Sequence, residues 1–171
     1  MLKLVEPNHS AITTRCTTDP FELDDVKSFE QDMLTLMGER FGVGLSANQV
    51  GENYRMFVMH HSVHGEIGVY NPEIISVSKE TTPMEEGCLT FPLLFMILTR
   101  PATVKVKYQN ANKEFIEEDL SGLDARCFLH EYDHLEGKVY LEYASDMKLQ
   151  RAIKKRDKVV RKLIKQQKEM A

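Results

Sequence analysis

The sequence predicts an α+β fold, on three observations. Short strand-like segments crowd the middle of the chain. Helical periodicity precedes and follows them. Nothing resembles the strand–helix–strand rhythm of a parallel sheet. The 171 residues, 42% hydrophobic and 28% charged, suit one globular domain able to bury a sizeable core. No apolar run approaches the roughly 20 residues of a membrane span. The first twenty residues carry Glu6 and Asp19 and no apolar stretch, so no signal peptide is expected. Three widely spaced cysteines, Cys16, Cys88 and Cys127, argue against a disulfide framework and for a reducing, cytoplasmic setting.

Residues 24–41 read as a helix, because Val26, Phe29, Met33, Leu36, Met37 and Phe41 recur at spacings of three and four before Gly42 and Gly44. Residues 55–60, 66–70 and 73–79 are strand-like, with Asn71-Pro72 as a break between the last two. Residues 103–109 alternate, with Val104, Val106 and Tyr108 on one face. The turn at 110–112 then leads into 113–118 as a hairpin. Ser121 is placed to cap a second helix reaching about Glu136 and stopped by Gly137. Asp146 is placed to cap a last helix running almost to the end of the chain.

The net charge of −4 is unevenly distributed. Residues 147–171 hold ten Lys/Arg against Asp157 and Glu169, a net +8, leaving −12 on the rest. An acidic body with a basic tail suggests a polyanionic partner for the tail. The tail also carries an apolar stripe at Leu149, Ile153, Val160 and Ile164, which fits an amphipathic helix packed on the body.

The chemistry is concentrated in His130-Glu131-Tyr132-Asp133-His134, an HExxH sequence inside the second helix. Residues four apart are rotated by about 400°, so both imidazoles leave one face, a turn apart. Two neutral imidazoles so placed can bind one metal ion at about 2.1 Å. Glu131 beside them can reach a metal-bound water without being a ligand. Cys127, Phe128, Leu129 and Leu135 make this helix apolar enough to be buried. A catalytic site needs a third protein ligand and an open position. Tyr140 occupies the position of the last ligand in the HExxHxxGxxH pattern, and Glu169 alone lies far enough downstream to serve as a distal glutamate, so the ligand is expected upstream. Cys127 precedes His134 by seven residues, about 10.5 Å along a helix. It therefore reads as a small core residue beside the site. Cys88, in Glu86-Gly87-Cys88-Leu89-Thr90 after a strand, is read equally well from the residues alone as a ligand or as an inert thiol.

Three separated segments resemble the peptide deformylase family. Gly42-Val43-Gly44-Leu45-Ser46-Ala47-Asn48-Gln49-Val50-Gly51 is similar to GxGLAAxQxG, Glu86-Gly87-Cys88-Leu89-Thr90-Phe91-Pro92 to EGCLSxP, and the stretch from His130 to Gly137 to HExDHLxG. Their order and separations also match. The resemblance implies a metal-dependent hydrolase that removes the formyl group from the N-terminal formyl-methionine of new polypeptides, releasing formate. It implies mostly antiparallel sheets packed around the HExxH helix. Cys88, His130 and His134 would hold one divalent metal ion, with water as the fourth ligand. Iron(II) is favoured, and zinc, nickel or cobalt also suit the donors. Glu131 would act as general base and acid. The Gln49 amide and the Leu89 backbone N–H would face the developing oxyanion. Val43, Gly44, Gly87 and Cys127 would hold the substrate, with the methionine side chain in an apolar pocket. The implied organisation is a catalytic region over 1–145 and a basic helix over 146–171 within one domain, monomeric and cytoplasmic. A second reading of the tail, by resemblance to bacterial deformylases, docks it on ribosomal RNA.

The chain departs from the family at Ser46, Thr90, the apolar run 93–98 and Arg126. The run reads as a buried strand or as an exposed apolar rim to the peptide groove. Arg126 is expected to pair with Glu86, whose frequent arginine partner, expected near Phe95, is missing there.

Overall fold

The computed structural model describes residues 2–170. A five-stranded antiparallel sheet in the order β1-β2-β3-β6-β7 forms the centre: β1 Gly44–Ser46, β2 Met56–His61, β3 Gly65–Val77, β6 Thr103–Gln109 and β7 Phe115–Ser121. A separate hairpin pairs β4 Thr81–Cys88 with β5 Phe91–Pro101. Helix α1 is Val26–Glu39, α2 is Gly122–Leu135 and α3 is Asp146–Met170. This is the α+β arrangement expected. None of the described helices is long and apolar enough to cross a membrane.

Strand β2 is covered on both faces, as its run of apolar residues requires. Phe57 and Met59 face α2, packing with Val69, Val104, Val106, Phe128 and Leu135. Met56 and Val58 face α1, packing with Met33, Leu36, Met37 and Leu45. Helix α2 therefore lies on the sheet with Phe128 against Phe57, ring centroids 5.2 Å apart. That contact fixes the rotation of α2 and so the direction of its histidines.

Four details differ from the sequence reading. Helix α1 ends at Glu39, capped at its start by Asp25 accepting from the Ser28 N–H. Phe41 adopts φ 55 and is 96% exposed, so it lies outside the core. The Phe41 and Gly42 N–H groups donate to the Gly38 and Met37 carbonyls, a closure that needs a left-handed residue at Phe41 and turns its ring outward. Strand β3 runs unbroken through Asn71-Pro72, absorbing them as an irregularity with Asn71 at φ 48. Gly137, at φ 70, ends α2 as expected, but Ser121 makes no side-chain cap at its start. The cap of α3 is Ser145 rather than Asp146: its Oγ accepts from the Lys148 N–H.

The run 93–98 is buried on one face and exposed on the other. It alternates along β5: Leu94, Met96 and Leu98 are buried, while Leu93, Phe95 and Ile97 are exposed. The buried set packs with Tyr140 and Ala152, and with the half-buried Leu149 and Ile153 of α3. Burial of this kind stabilises by about 1.5–3 kcal/mol per large side chain. Farther along α3, Val160 is half-buried in the same groove as Leu149 and Ile153, while Ile164 is exposed, so the stripe is docked as far as Val160.

Candidate metal centre

Helix α2 and the end of β4 bring three donors together. The donor atoms of Cys88, His130 and His134 all lie within 4.8 Å of one another, with both histidines buried. His134 Nε2 is 3.3 Å from Cys88 Sγ. His130 Nδ1 is 3.1 Å from Glu86 Oε2. A carboxylate can only accept, so Nδ1 carries the proton and the Nε2 lone pair is left for a cation. Burial lowers the proton affinity of His130, yet Cys88 and Glu86 outweigh it and bring its pKa in the metal-free chain to about 10, so a bound cation takes the place of a proton on Nε2. Burial and His130 push His134 well below the usual range. The cluster thus accommodates one positive charge among a thiol and two imidazoles, and a divalent cation with Cys/His/His ligation fits it.

Glu131 follows His130 on α2 and is buried. Its carboxylate rests against Gly44: a Cβ there would collide with Glu131 Oε1 and Cys127 Sγ, so β1 reaches this close only with glycine. Burial raises Glu131 to a pKa of about 7, with His130 opposing. Its Oε2 is buried without a hydrogen-bond partner among the described residues. Cys127 Sγ donates to the Val43 carbonyl at 3.2 Å, which confirms it as a packed thiol beside the site.

The turn after β1 holds Gln49. The Ser46 N–H donates to Gln49 Oε1 at 2.9 Å, orienting the amide so that Nε2 points to Thr90 Oγ1 at 3.1 Å and Cys88 Sγ at 3.3 Å. Asn48 Nδ2 donates to the His134 carbonyl, tying the same turn to α2. Leu89 and Thr90 make the two-residue turn between β4 and β5.

Glu86 anchors the far side. Arg100 Nε and Nη2 donate to its two oxygens at 2.7 and 2.9 Å, and Arg126 Nη1 donates to Oε1 at 2.7 Å. Arg126 also donates to the Leu98 and Thr82 carbonyls, and Arg100 to Asp133. Burial alone would raise Glu86; His130, Arg100 and Arg126 overcome it and hold the carboxyl down at about 2. The expected Arg126–Glu86 pair is present. No arginine stands near Phe95, as the sequence reading says; the second partner of Glu86 is Arg100, a pairing that reading missed, and it falls on the inward register of Leu94, Met96 and Leu98, where an arginine needs a buried anion.

The polypeptide deformylase family model matches residues 1–150. The chain belongs to this family. The peptide deformylase of Thermotoga sp. (strain RQ2) is 44% identical over 125 residues, 73% of this chain and 76% of the relative. The crystal structure of the Thermotoga maritima peptide deformylase superposes with a TM-score of 0.80 at 38% identity, covering 85% of this chain and 98% of that one. The Legionella pneumophila peptide deformylase gives 0.85 at 28% identity, covering 96% and 98%. This deformylase is thus a metal-dependent hydrolase by family, acting on formylmethionyl peptides.

A second group of this deformylase, His61, His64 and Glu118, also has its donor atoms within 4.8 Å. It is built differently. His61 Nδ1 accepts from the Val63 and His64 N–H groups at 3.1 and 3.2 Å, which leaves the ring proton on Nε2, 3.4 Å from Glu118 Oε2. A nitrogen bearing a proton has no lone pair for a cation. The group therefore places His61 at the end of β2 close to Glu118 of β7, with no hydrogen bond from His61 Nε2 among the described residues.

Proposed function

We propose that Cys88, His130 and His134 hold one divalent cation, iron(II) in the native protein with zinc, nickel or cobalt able to replace it, and that Glu131 transfers protons in hydrolysis of N-formylmethionyl peptides. The observation that carries this is the convergence of the three donors beside a buried carboxylate without a cationic partner. The cation, when bound, supplies a Lewis acid that polarises the formyl carbonyl and makes water a nucleophile near neutral pH. Glu131 accepts the proton of the attacking water and returns it to the leaving amine nitrogen, so formate and a free N-terminus are released. The Gln49 Nε2–H and Leu89 N–H donate to the formyl oxygen as it gains charge. Cys127 and Val43 line the methionine pocket. The backbone of Gly44, on the free edge of β1, and of Gly87, on the free edge of β4, pairs with an extended peptide. Formate release from formyl-Met-Ala-Ser, with no cleavage of an unformylated peptide library, tests this, together with metal analysis after anaerobic purification. Cleavage of the unformylated peptides instead would identify an endopeptidase.

Residues 1–145 supply the catalytic unit, and the helix over 146–171 belongs to the same domain, supported by Leu149, Ala152 and Ile153 packing on β5. The protein acts as a cytoplasmic monomer, with the distal part of α3 free to meet ribosomal RNA. Beyond Val160 this segment carries Arg161, Lys162, Lys165 and Lys168 against Glu169, with Leu163 and Ile164 exposed among them. Truncation after Val160 is expected to keep turnover on short formyl-peptides within about twofold. Ribosome binding is expected to fall, and binding by the full chain to weaken as salt rises. Equal ribosome affinity of the two forms would remove this role.

A further inference from the structure

The outer face of the β4–β5 hairpin carries a feature that the chemistry above does not use. On β5, Leu93 is 43%, Phe95 50% and Ile97 57% exposed, three apolar side chains in a row on the solvent register. On β4, Glu86 points inward, so Glu85 and Gly87 belong to the same outer face as Phe95. The Phe95 ring does not stand over its own strand. It occupies the side-chain place of Gly87: a Cβ there would lie 2.5 and 2.6 Å from ring atoms Cε1 and Cδ1. The ring therefore lies over the β4 backbone at Gly87, one residue before Cys88, on a strand whose other edge pairs with no strand.

A peptide that adds to this edge lies one strand spacing, about 4.8 Å, from Gly87. Its side chains alternate. If the methionine side chain turns inward to its pocket, the side chain of the next residue turns outward, level with the Phe95 ring. We propose that Phe95, flanked by Leu93 and Ile97, is a specificity-determining contact for the second residue of the formylated peptide, favouring aliphatic or aromatic side chains over acidic ones. Glu85, exposed on the same face and opposite Ile97, adds repulsion against a carboxylate. This rests on the deformylase reading of the site and on an extended peptide at the free edge of β4.

The test is the set of kcat/KM values for formyl-Met-X-Ser peptides with X as Leu, Phe, Lys or Asp, for the native protein, Phe95→Ala and Phe95→Arg, each with metal content measured. The native protein is expected to prefer Leu or Phe over Asp by about tenfold, the size of one apolar contact. In Phe95→Ala the ratio should shrink to within about threefold, and in Phe95→Arg it should turn toward Asp. The readout is a ratio within one protein, so a general loss of activity does not imitate it. The same ratios in all three proteins, or no apolar preference in the native one, would overturn the proposal. No turnover by the native protein on any formylated peptide would instead sink the reading of the site itself.

Discussion

Glu86 and Glu131 are both buried beside His130, and their surroundings drive them apart. Glu86 receives hydrogen bonds from two guanidinium groups and the imidazole, and stays a fixed anion with a pKa of about 2. Glu131 has burial without a paired cation, and its pKa rises to about 7. A carboxylate clamped this way cannot trade protons near neutrality, whereas one whose burial outweighs the opposing pull of His130, Arg100 and Ser46 can. One orients His130; the other is available for proton transfer.

Exchanging each carboxylate for its amide tests that division. Glu131→Gln removes a proton carrier but no ligand. It is expected to lower kcat by about 10²–10⁴-fold with metal content unchanged. A kcat within about tenfold of the native value would show that Glu131 lacks this role. Glu86→Gln removes the anion that Arg100 and Arg126 share. Unfolding free energy is expected to fall by about 3–5 kcal/mol, because the guanidinium groups stay buried without a countercharge. Metal affinity should weaken by about 10–100-fold, since His130 loses its orienting acceptor. Calorimetric melting and competition with a chelator measure the two effects separately.

The smallest effect is the pH dependence of the clamp. The pKa of Glu86 is lower in the folded protein than in the unfolded chain. Its contribution to stability is therefore complete above about 4.5 and is lost as pH falls toward about 2. Chemical denaturation of the metal-free protein between pH 5 and pH 2 should show native Glu86 losing stability that Glu86→Gln does not lose. Parallel curves for the two proteins would place the acid sensitivity elsewhere.

What the sequence reveals tracks how local the cause is. The regular alternation of β6 locates it within the reach of its own residues, and Gly137 ends α2 because a left-handed residue is needed there. The β4–β5 hairpin is harder to read. Its continuous apolar run hides an alternation that becomes visible only when α3 covers one face. Phe41 fits the helical period of α1 and still leaves the core, because the hydrogen bonds that close the helix require its backbone to turn left-handed.

By itself, the sequence determines the two imidazoles one turn apart with a glutamate beside them, since a four-residue spacing in a helix needs no other part of the chain. It also determines the separation of an acidic body from a basic tail, which is a matter of composition. Resemblance in three motifs names the family, while the residues alone leave Cys88 level with an inert thiol. Only the tertiary structure brings Cys88 to His134 across 46 positions and joins Glu86 to Arg126 across 40. It alone adds Arg100 to that pair and lays Phe95 over Gly87. These contacts join segments through the register of β4 on β5 and the seating of α2 on the sheet. Their energies come from desolvating several groups together, and no single segment carries that information.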